Sequence, residues 1–181
     1  MSKTTNLLLA GFGGQGVLFA AKLLSYAGLI DGREVSWLPS YGPEMRGGTA
    51  NCSVVLSKSP IGSPLVTEPD VLLAMNQPSF DKFKDSVAPG GIVIVDSLLV
   101  PDAEVAEGVT LIKVPATQMS EEHDLKGGAN VIMTGVIVKQ SDCLDIDVVE
   151  KAIEKSISQR MMHLLPNNIR ALRLGYDFVP E

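Results

Sequence analysis

Asn6-Leu7-Leu8-Leu9-Ala10-Gly11-Phe12-Gly13-Gly14-Gln15-Gly16-Val17 runs from an apolar segment, through four glycines, into a second apolar segment. Asn6 to Gly11 reads as a short buried strand and Gly14 to Gly28 as the helix after it. The glycines therefore fall where a strand turns into a helix and backbone N–H groups can face an anion. Gly11, Gly13 and Gly16 occupy the three glycine places of a dinucleotide-binding turn, with Gly14 and Gln15 between them. The Gln15 amide can hydrogen-bond a phosphate, a carboxylate or a neighbouring loop. The same glycines also suffice for a tight turn and close helix packing, and the loop alone does not separate these readings.

Outward from this turn, Val17, Ala20, Ala21, Leu24 and Ala27 fall on one helical face, and their small size lets the helix lie close to a sheet. Leu18, Phe19 and Leu23 are apolar as well, and a helix apolar nearly all round is either central or covered by another chain. Further strands are expected at Glu34 to Leu38, Asn51 to Leu56, Asp70 to Met75, Ile92 to Val95 and Val109 to Val114. The third of the chain's strands is reached without a crossover helix, so it need not be parallel to its predecessor. Ser57 to Pro69, with three prolines and a glycine, reads as a loop. Helices are expected at Ser79 to Val87, Ala129 to Lys139, Asp147 to Ile157 and Asn168 to Leu174. This alternation, with the β-branched run Ile92-Val93-Ile94-Val95, predicts a single-domain α/β fold: Rossmann-like, doubly wound, with a mostly parallel sheet. Ligands of such sheets bind outside the carboxyl ends of the strands.

A second glycine loop, Tyr41-Gly42-Pro43-Glu44-Met45-Arg46-Gly47-Gly48, leaves one of those ends. Arg46 beside Gly47 suits a bidentate hold on a carboxylate or phosphate. Glu44 can fix that arginine, and Tyr41 adds a hydroxyl at the rim. The competing reading is an internal Glu44–Arg46 pair that stiffens the loop. The strand before it ends Leu38-Pro39-Ser40, without the acid that holds an NAD ribose, and the first loop lacks the Lys-Ser/Thr pair of a P-loop. Asp96 and Ser97 end another strand at the same edge, where capping a helix explains them best. Asn130 opens a helix after Gly127-Gly128 and, with the amides there, is placed to face a ligand or another subunit. Glu121-Glu122-His123-Asp124 reads as a solvated loop.

The 181 residues carry a net charge of −6, with no basic cluster of the kind that tracks nucleic acid. No apolar run is long enough to span a membrane, and the amino-terminal residues do not form a signal sequence. Cys52 and Cys143 lack CxxC spacing, so neither a disulfide framework nor a metal or iron–sulfur site is expected, and the default compartment is the cytoplasm. No catalytic Ser–His–Asp set or paired carboxylates emerge.

Both glycine loops, together with Ser63-Pro64, Pro69-Asp70 and Ala129-Asn130 before an apolar helix, make the chain resemble the γ subunit of 2-oxoacid:ferredoxin oxidoreductases. The resemblance runs over nearly the whole chain, so residues 1–181 are expected to form one γ-type domain; Tyr-Gly-Pro-Glu-x-Arg-Gly-Gly is its most specific part. It implies a subunit, inactive alone, of an enzyme that converts a 2-oxoacid and coenzyme A to acyl-CoA and carbon dioxide while reducing ferredoxin. It implies α and β partner subunits with thiamine diphosphate between them, iron–sulfur clusters in other subunits such as a ferredoxin-like δ, and coenzyme A as the ligand associated with this domain. Carried over to this sequence, Gly11, Gly13, Gly14, Gln15 and Gly16 form the anion- or subunit-facing turn. Tyr41, Glu44, Arg46 and Gly47 face the α subunit or the path of the acyl acceptor. The types that act on 2-ketoisovalerate or 2-oxoglutarate are favoured over an indolepyruvate enzyme. A free-standing nucleotide-binding regulatory module is the alternative from another class, and the isolated chain could pair with a second copy.

Overall fold

The computed structural model describes residues 4–40 and 49–180. Its core is a six-stranded sheet of order β2-β3-β1-β4-β5-β6, built from β1 (Thr5–Phe12), β2 (Glu34–Ser40), β3 (Thr49–Ser57), β4 (Val71–Ala74), β5 (Ile92–Asp96) and β6 (Thr110–Val114). β1, β4, β5 and β6 are parallel neighbours, whereas β3 pairs antiparallel with both β1 and β2. The sheet is thus mostly parallel in strand direction, with β3 the one strand that opposes the rest. The connection from β2 into β3 is short enough for an antiparallel return, and the ladders to β1 and β2 show that β3 takes it.

Alternate side chains divide the sheet into two faces. Leu7, Leu9, Leu73, Ile94 and Ile112 point into one core, shared with α1 (Val17–Ile30), α4 (Ala129–Ser141), α5 (Ile146–Ser156) and α6 (Leu165–Tyr176). Leu8, Leu72, Val93 and Val95 point into the other, closed by Phe80 of α2 (Gln77–Phe83) and by Val100 and Ala103. Burial on both faces explains the unbroken apolar runs of β1, β4 and β5. The single-domain α/β fold expected from the strand–helix alternation is the one observed.

Several boundaries move for identifiable reasons. Helix α1 starts at Val17 because Gly14 and Gly16 hold φ of 97° and 77°, which an α-helix cannot include. Strand β2 continues through Pro39 to Ser40, since an edge strand tolerates one missing amide donor. Helix α6 begins at Leu165, with Pro166 in its first turn, where a proline's missing N–H costs nothing. Glu121 and Glu122 close an unexpected short helix, α3 (Ala116–Glu122). Its first turn is held by Asp96, whose Oδ2 accepts from Thr117 N at 2.9 Å and Thr117 Oγ1 at 2.6 Å. That cap comes from a distant strand, so local pattern could not announce the helix.

Cys52 of β3 is fully buried under α1. Desolvation pushes its thiol up to about 12, against a small opposing effect of the Leu38 backbone. Since the unfolded thiol ionises near pH 8.5, the native state binds more protons than the unfolded state between there and about pH 12. Stability contributed by this group is whole below that window and is lost as pH rises through it, with a slope of about 1.4 kcal/mol per pH unit. Cys52→Ala is expected to abolish this alkaline slope in urea unfolding measured between pH 8 and 11; an unchanged slope would refute the assignment.

Candidate functional site

At the carboxyl edge of the sheet the first glycine loop is held by one side chain. Gln15 Oε1 accepts from Phe12 N at 2.7 Å and from Asn76 Nδ2 at 2.9 Å, while Gln15 Nε2 donates to the Met75 carbonyl at 2.8 Å. Asn76 in turn caps α2, its Oδ1 accepting from Ser79 N at 2.9 Å. The end of β1 is thereby tied to the end of β4, and Gln15 is engaged with a neighbouring loop. Gly11 is buried, and a Cβ on it would lie 2.9 Å from both Gln15 Oε1 and Val17 Cγ1. Gly13 and Gly14 are exposed, and the space beside Gly14 is open.

Gly16 makes a different junction. Its carbonyl accepts from Asn130 Nδ2 at 3.1 Å, and Asn130 is itself buried in the first turn of α4. The amino ends of α1 and α4 therefore meet. Neither has a side-chain cap, and neither has an acid in its first turn. Opening backbone amides of a helix have no partner within it, and the helix dipole adds positive potential. Beside the junction Phe19, Gly127, Val131, Ser156, Met161 and Leu164 line a mainly apolar cavity of about 330 Å³. Ser156 Oγ is buried there and has no hydrogen-bond partner among the described residues.

Tyr41, Glu44, Arg46 and Gly47 lie outside the described residues. The strand ends that carry their loop do not: Thr49 pairs with Phe12, and Ser40 with Asn51, which itself pairs with Ala10. Both glycine loops thus depart from the same edge of the sheet. The neighbour of β1 on that side is the antiparallel β3, which brings its first residue, not its last, beside the glycine turn. A dinucleotide fold has there the carboxyl end of a parallel strand. Asp96 is fully buried, with Oδ1 accepting from Leu98 N at 3.0 Å and Oδ2 taken by Thr117, so it braces α3 instead of facing the edge. His123 is exposed at the end of α3 and His163 on a 3₁₀ segment, and no group of three or more metal-ligating side chains occurs among the described residues.

Sequence reasoning picked out Asn130 and Gly16 separately but not the hydrogen bond that joins them across 114 positions. It did not identify Asn76 or Ser156. An Asn-Gln-Pro-Ser run at a strand end, Asn76-Gln77-Pro78-Ser79, is the capping signal that points to Asn76.

The pyruvate ferredoxin/flavodoxin oxidoreductase family matches the chain over residues 6–178. The chain belongs to this family. Ketoisovalerate oxidoreductase subunit VorA of Methanothermobacter thermautotrophicus is 41% identical over 174 residues, covering 96% of this chain and 36% of its own length. The chain thus spans about a third of that relative. 2-oxoglutarate synthase subunit KorC of Methanocaldococcus jannaschii is 38% identical over 176 residues, and there the match covers 92% of the relative. Among solved structures, the γ subunit of a keto/oxoacid ferredoxin oxidoreductase from Geobacter sulfurreducens superposes with a TM-score of 0.80 at 25% identity, over 96% of both chains. A 2-oxoglutarate:ferredoxin oxidoreductase from Magnetococcus marinus, solved with 2-oxoglutarate, coenzyme A and succinyl-CoA, shares the fold with a TM-score of 0.83 over 96% of this chain and 30% of its own. The γ-subunit resemblance read from the two glycine loops therefore holds across family, relatives and fold. No helix among the described residues is long and apolar enough to cross a membrane.

Proposed function

We propose that this member of the pyruvate ferredoxin/flavodoxin oxidoreductase family acts as the γ subunit of a 2-oxoacid:ferredoxin oxidoreductase, of the type that takes 2-ketoisovalerate or 2-oxoglutarate. The reaction releases carbon dioxide from a 2-oxoacid, joins the remaining acyl group to coenzyme A, and passes the electrons to ferredoxin. Thiamine diphosphate, held by α and β subunits, supplies the decarboxylation, and iron–sulfur clusters elsewhere carry the electrons. This chain supports assembly and gives the acyl acceptor its approach.

The observation that carries the proposal is the convergence at one edge of the sheet. Two glycine loops leave it together, and two uncapped helix amino termini meet there beside an apolar cavity. Exposed Gly13 and Gly14 let a ligand or subunit come near the backbone, and the helix ends favour a phosphate. A chain of net charge −6 would repel an anionic coenzyme at long range, so these local donors and Arg46 bear the attraction. Relatives that join this fold to a much longer polypeptide support its place as a part of a larger enzyme.

Purification of the native assembly, followed by assay against branched-chain, dicarboxylic, aliphatic and aromatic 2-oxoacids with coenzyme A and a low-potential acceptor, tests the reading. Coenzyme A-dependent reduction by an assembly containing this chain is expected. A stable monomer that copurifies with no larger subunit and binds adenine nucleotides tightly by calorimetry would instead identify a free-standing nucleotide module. Within the complex, Arg46→Ala is expected to lower turnover or assembly by about tenfold or more, the scale of losing a charge-assisted hydrogen bond, while the γ fold keeps its wild-type circular dichroism. Wild-type assembly and turnover in that variant would remove Arg46 from the mechanism.

A further inference from the structure

Helix α1 is apolar on more sides than the sheet can cover. Its inward residues Ala20, Ala21, Leu24 and Ala27 are fully buried, yet Tyr26 and Leu29 remain 39% and 58% exposed. They face the edge strand β2, where Trp37 is 42% exposed, and with Lys22, Ser25 and Val35 they bound a groove of about 260 Å³. Edge strands are ordinarily shielded by charge, by brevity or by cover. Here the middle of the edge is Trp37-Leu38, both exposed, and among the described residues the only charged one lining the groove is Lys22. The Lys22 ammonium sits 5.5 Å from the centre of the Tyr26 ring, which fixes a positive charge at the rim.

We propose that this groove seats an apolar helix of the larger subunit of the enzyme, anchored between Trp37 and Tyr26 with a carboxylate of that helix set against Lys22. The proposal rests on the reading of the chain as an oxidoreductase subunit. Two observations select this occupant. Relatives in which the fold is only about a third of the polypeptide, and others in which it is nearly the whole of one, both require a surface through which it meets the rest of the enzyme. A second copy of this chain is disfavoured by charge: a self-complementary interface would turn the Lys22 groove on an identical one, and among the described residues no carboxylate lines the groove to answer it. Tryptophan and tyrosine at the centre of such a surface are the residue types that dominate binding. Pro39, just beyond Trp37, interrupts the amide donors along β2 and favours side-chain docking over addition of another strand.

The test is coexpression of the chain with its larger subunits and measurement of the affinity of the reconstituted complex. Leu29→Glu and Trp37→Ala are each expected to weaken assembly by about tenfold or more. Lys22→Glu should weaken it severalfold, more strongly at low salt than at high. Val179→Glu, at an exposed valine beside β6 on the opposite edge of the sheet, is the control and should assemble as wild type. The isolated variants at positions 22, 29 and 179 should retain the wild-type melting temperature within about 2 °C, and Trp37→Ala, whose ring is more than half covered, should lose about 5 °C at most and keep the wild-type circular dichroism. Full-affinity assembly by Leu29→Glu and Trp37→Ala would overturn the docking surface while leaving the subunit reading intact. A wild-type homodimer dissolved by these changes, with assembly unaffected, would also overturn it. Failure of the wild-type chain to join any larger subunit would end the subunit reading itself.

Discussion

Gly175→Ala is expected to lower the melting temperature by roughly 5–10 °C, the equivalent of about 2–3 kcal/mol in a chain of this length. Gly175 of α6 and Gly135 of α4 face each other where the two helices cross. A Cβ on Gly175 would fall 2.6 Å from the Ile132 carbonyl carbon, and one on Gly135 would fall 2.7 Å from Tyr176 N. These are backbone atoms, so no side chain can swing aside; the helices must separate. Alanine would gain about 1 kcal/mol of intrinsic helix propensity over glycine, and the expected loss is what remains after that gain. Gly135→Ala should behave alike, and the pair of changes should cost less than the sum, because the first already parts the helices. Thermal unfolding followed by circular dichroism decides it. A rise in melting temperature in either variant would mean that the crossing is looser than described. The effect reaches the functional edge, since nine consecutive residues of α4, Asn130 to Val138, are buried and Asn130 stands at its amino end.

The second large effect concerns Gly16. A Cβ there would run into the Asn130 amide, with Asn130 Cγ at 2.8 Å, and its φ of 77° is one that L-residues avoid. Gly16→Ala should therefore cost about 1–2 kcal/mol in backbone strain and about 1 kcal/mol more for the lost Asn130–Gly16 hydrogen bond. Gly14→Ala is the matching control: its φ is 97° but its surroundings are open, so it carries the strain without the collision. Asn130→Ala removes the atoms that obstruct. A double-mutant cycle of Gly16→Ala with Asn130→Ala should show a coupling of about 1 kcal/mol. Strict additivity would show that the two helix ends are not joined through this contact.

Much of this arrangement is written in local pattern. The β-branched run at Ile92–Val95 and the leucine run of β1 announce strands buried on both faces, and the glycine turn announces the helix that follows. What could not be read locally depends on partners distant in sequence. The direction of β3 was open because a short connection permits an antiparallel return without requiring it; the ladders to β1 and β2 settle it. Helix α3 is polar, short and capped by Asp96 from another strand. The Gln15 side chain could have served a ligand or a loop, and its use depends on Met75 and Asn76, about sixty residues on. The residues that make α1 apolar nearly all round, Leu18, Phe19 and Leu23, are covered within the chain, Leu23 fully buried and the other two packed against the core, and the exposure of Tyr26, Leu29 and Trp37 is visible only in the fold.

The three hydrogen bonds of Gln15 have a thermodynamic consequence. A turn whose Phe12 amide is held by Gln15, and whose Gln15 side chain is latched to Met75 and Asn76 at the end of the adjoining strand, loses little freedom when a guest arrives, so the usual entropic cost of a glycine-rich segment is met during folding and not at the encounter. Unlatching it, by shortening the side chain at position 15, should slow productive encounters at this rim even where final contacts are unchanged.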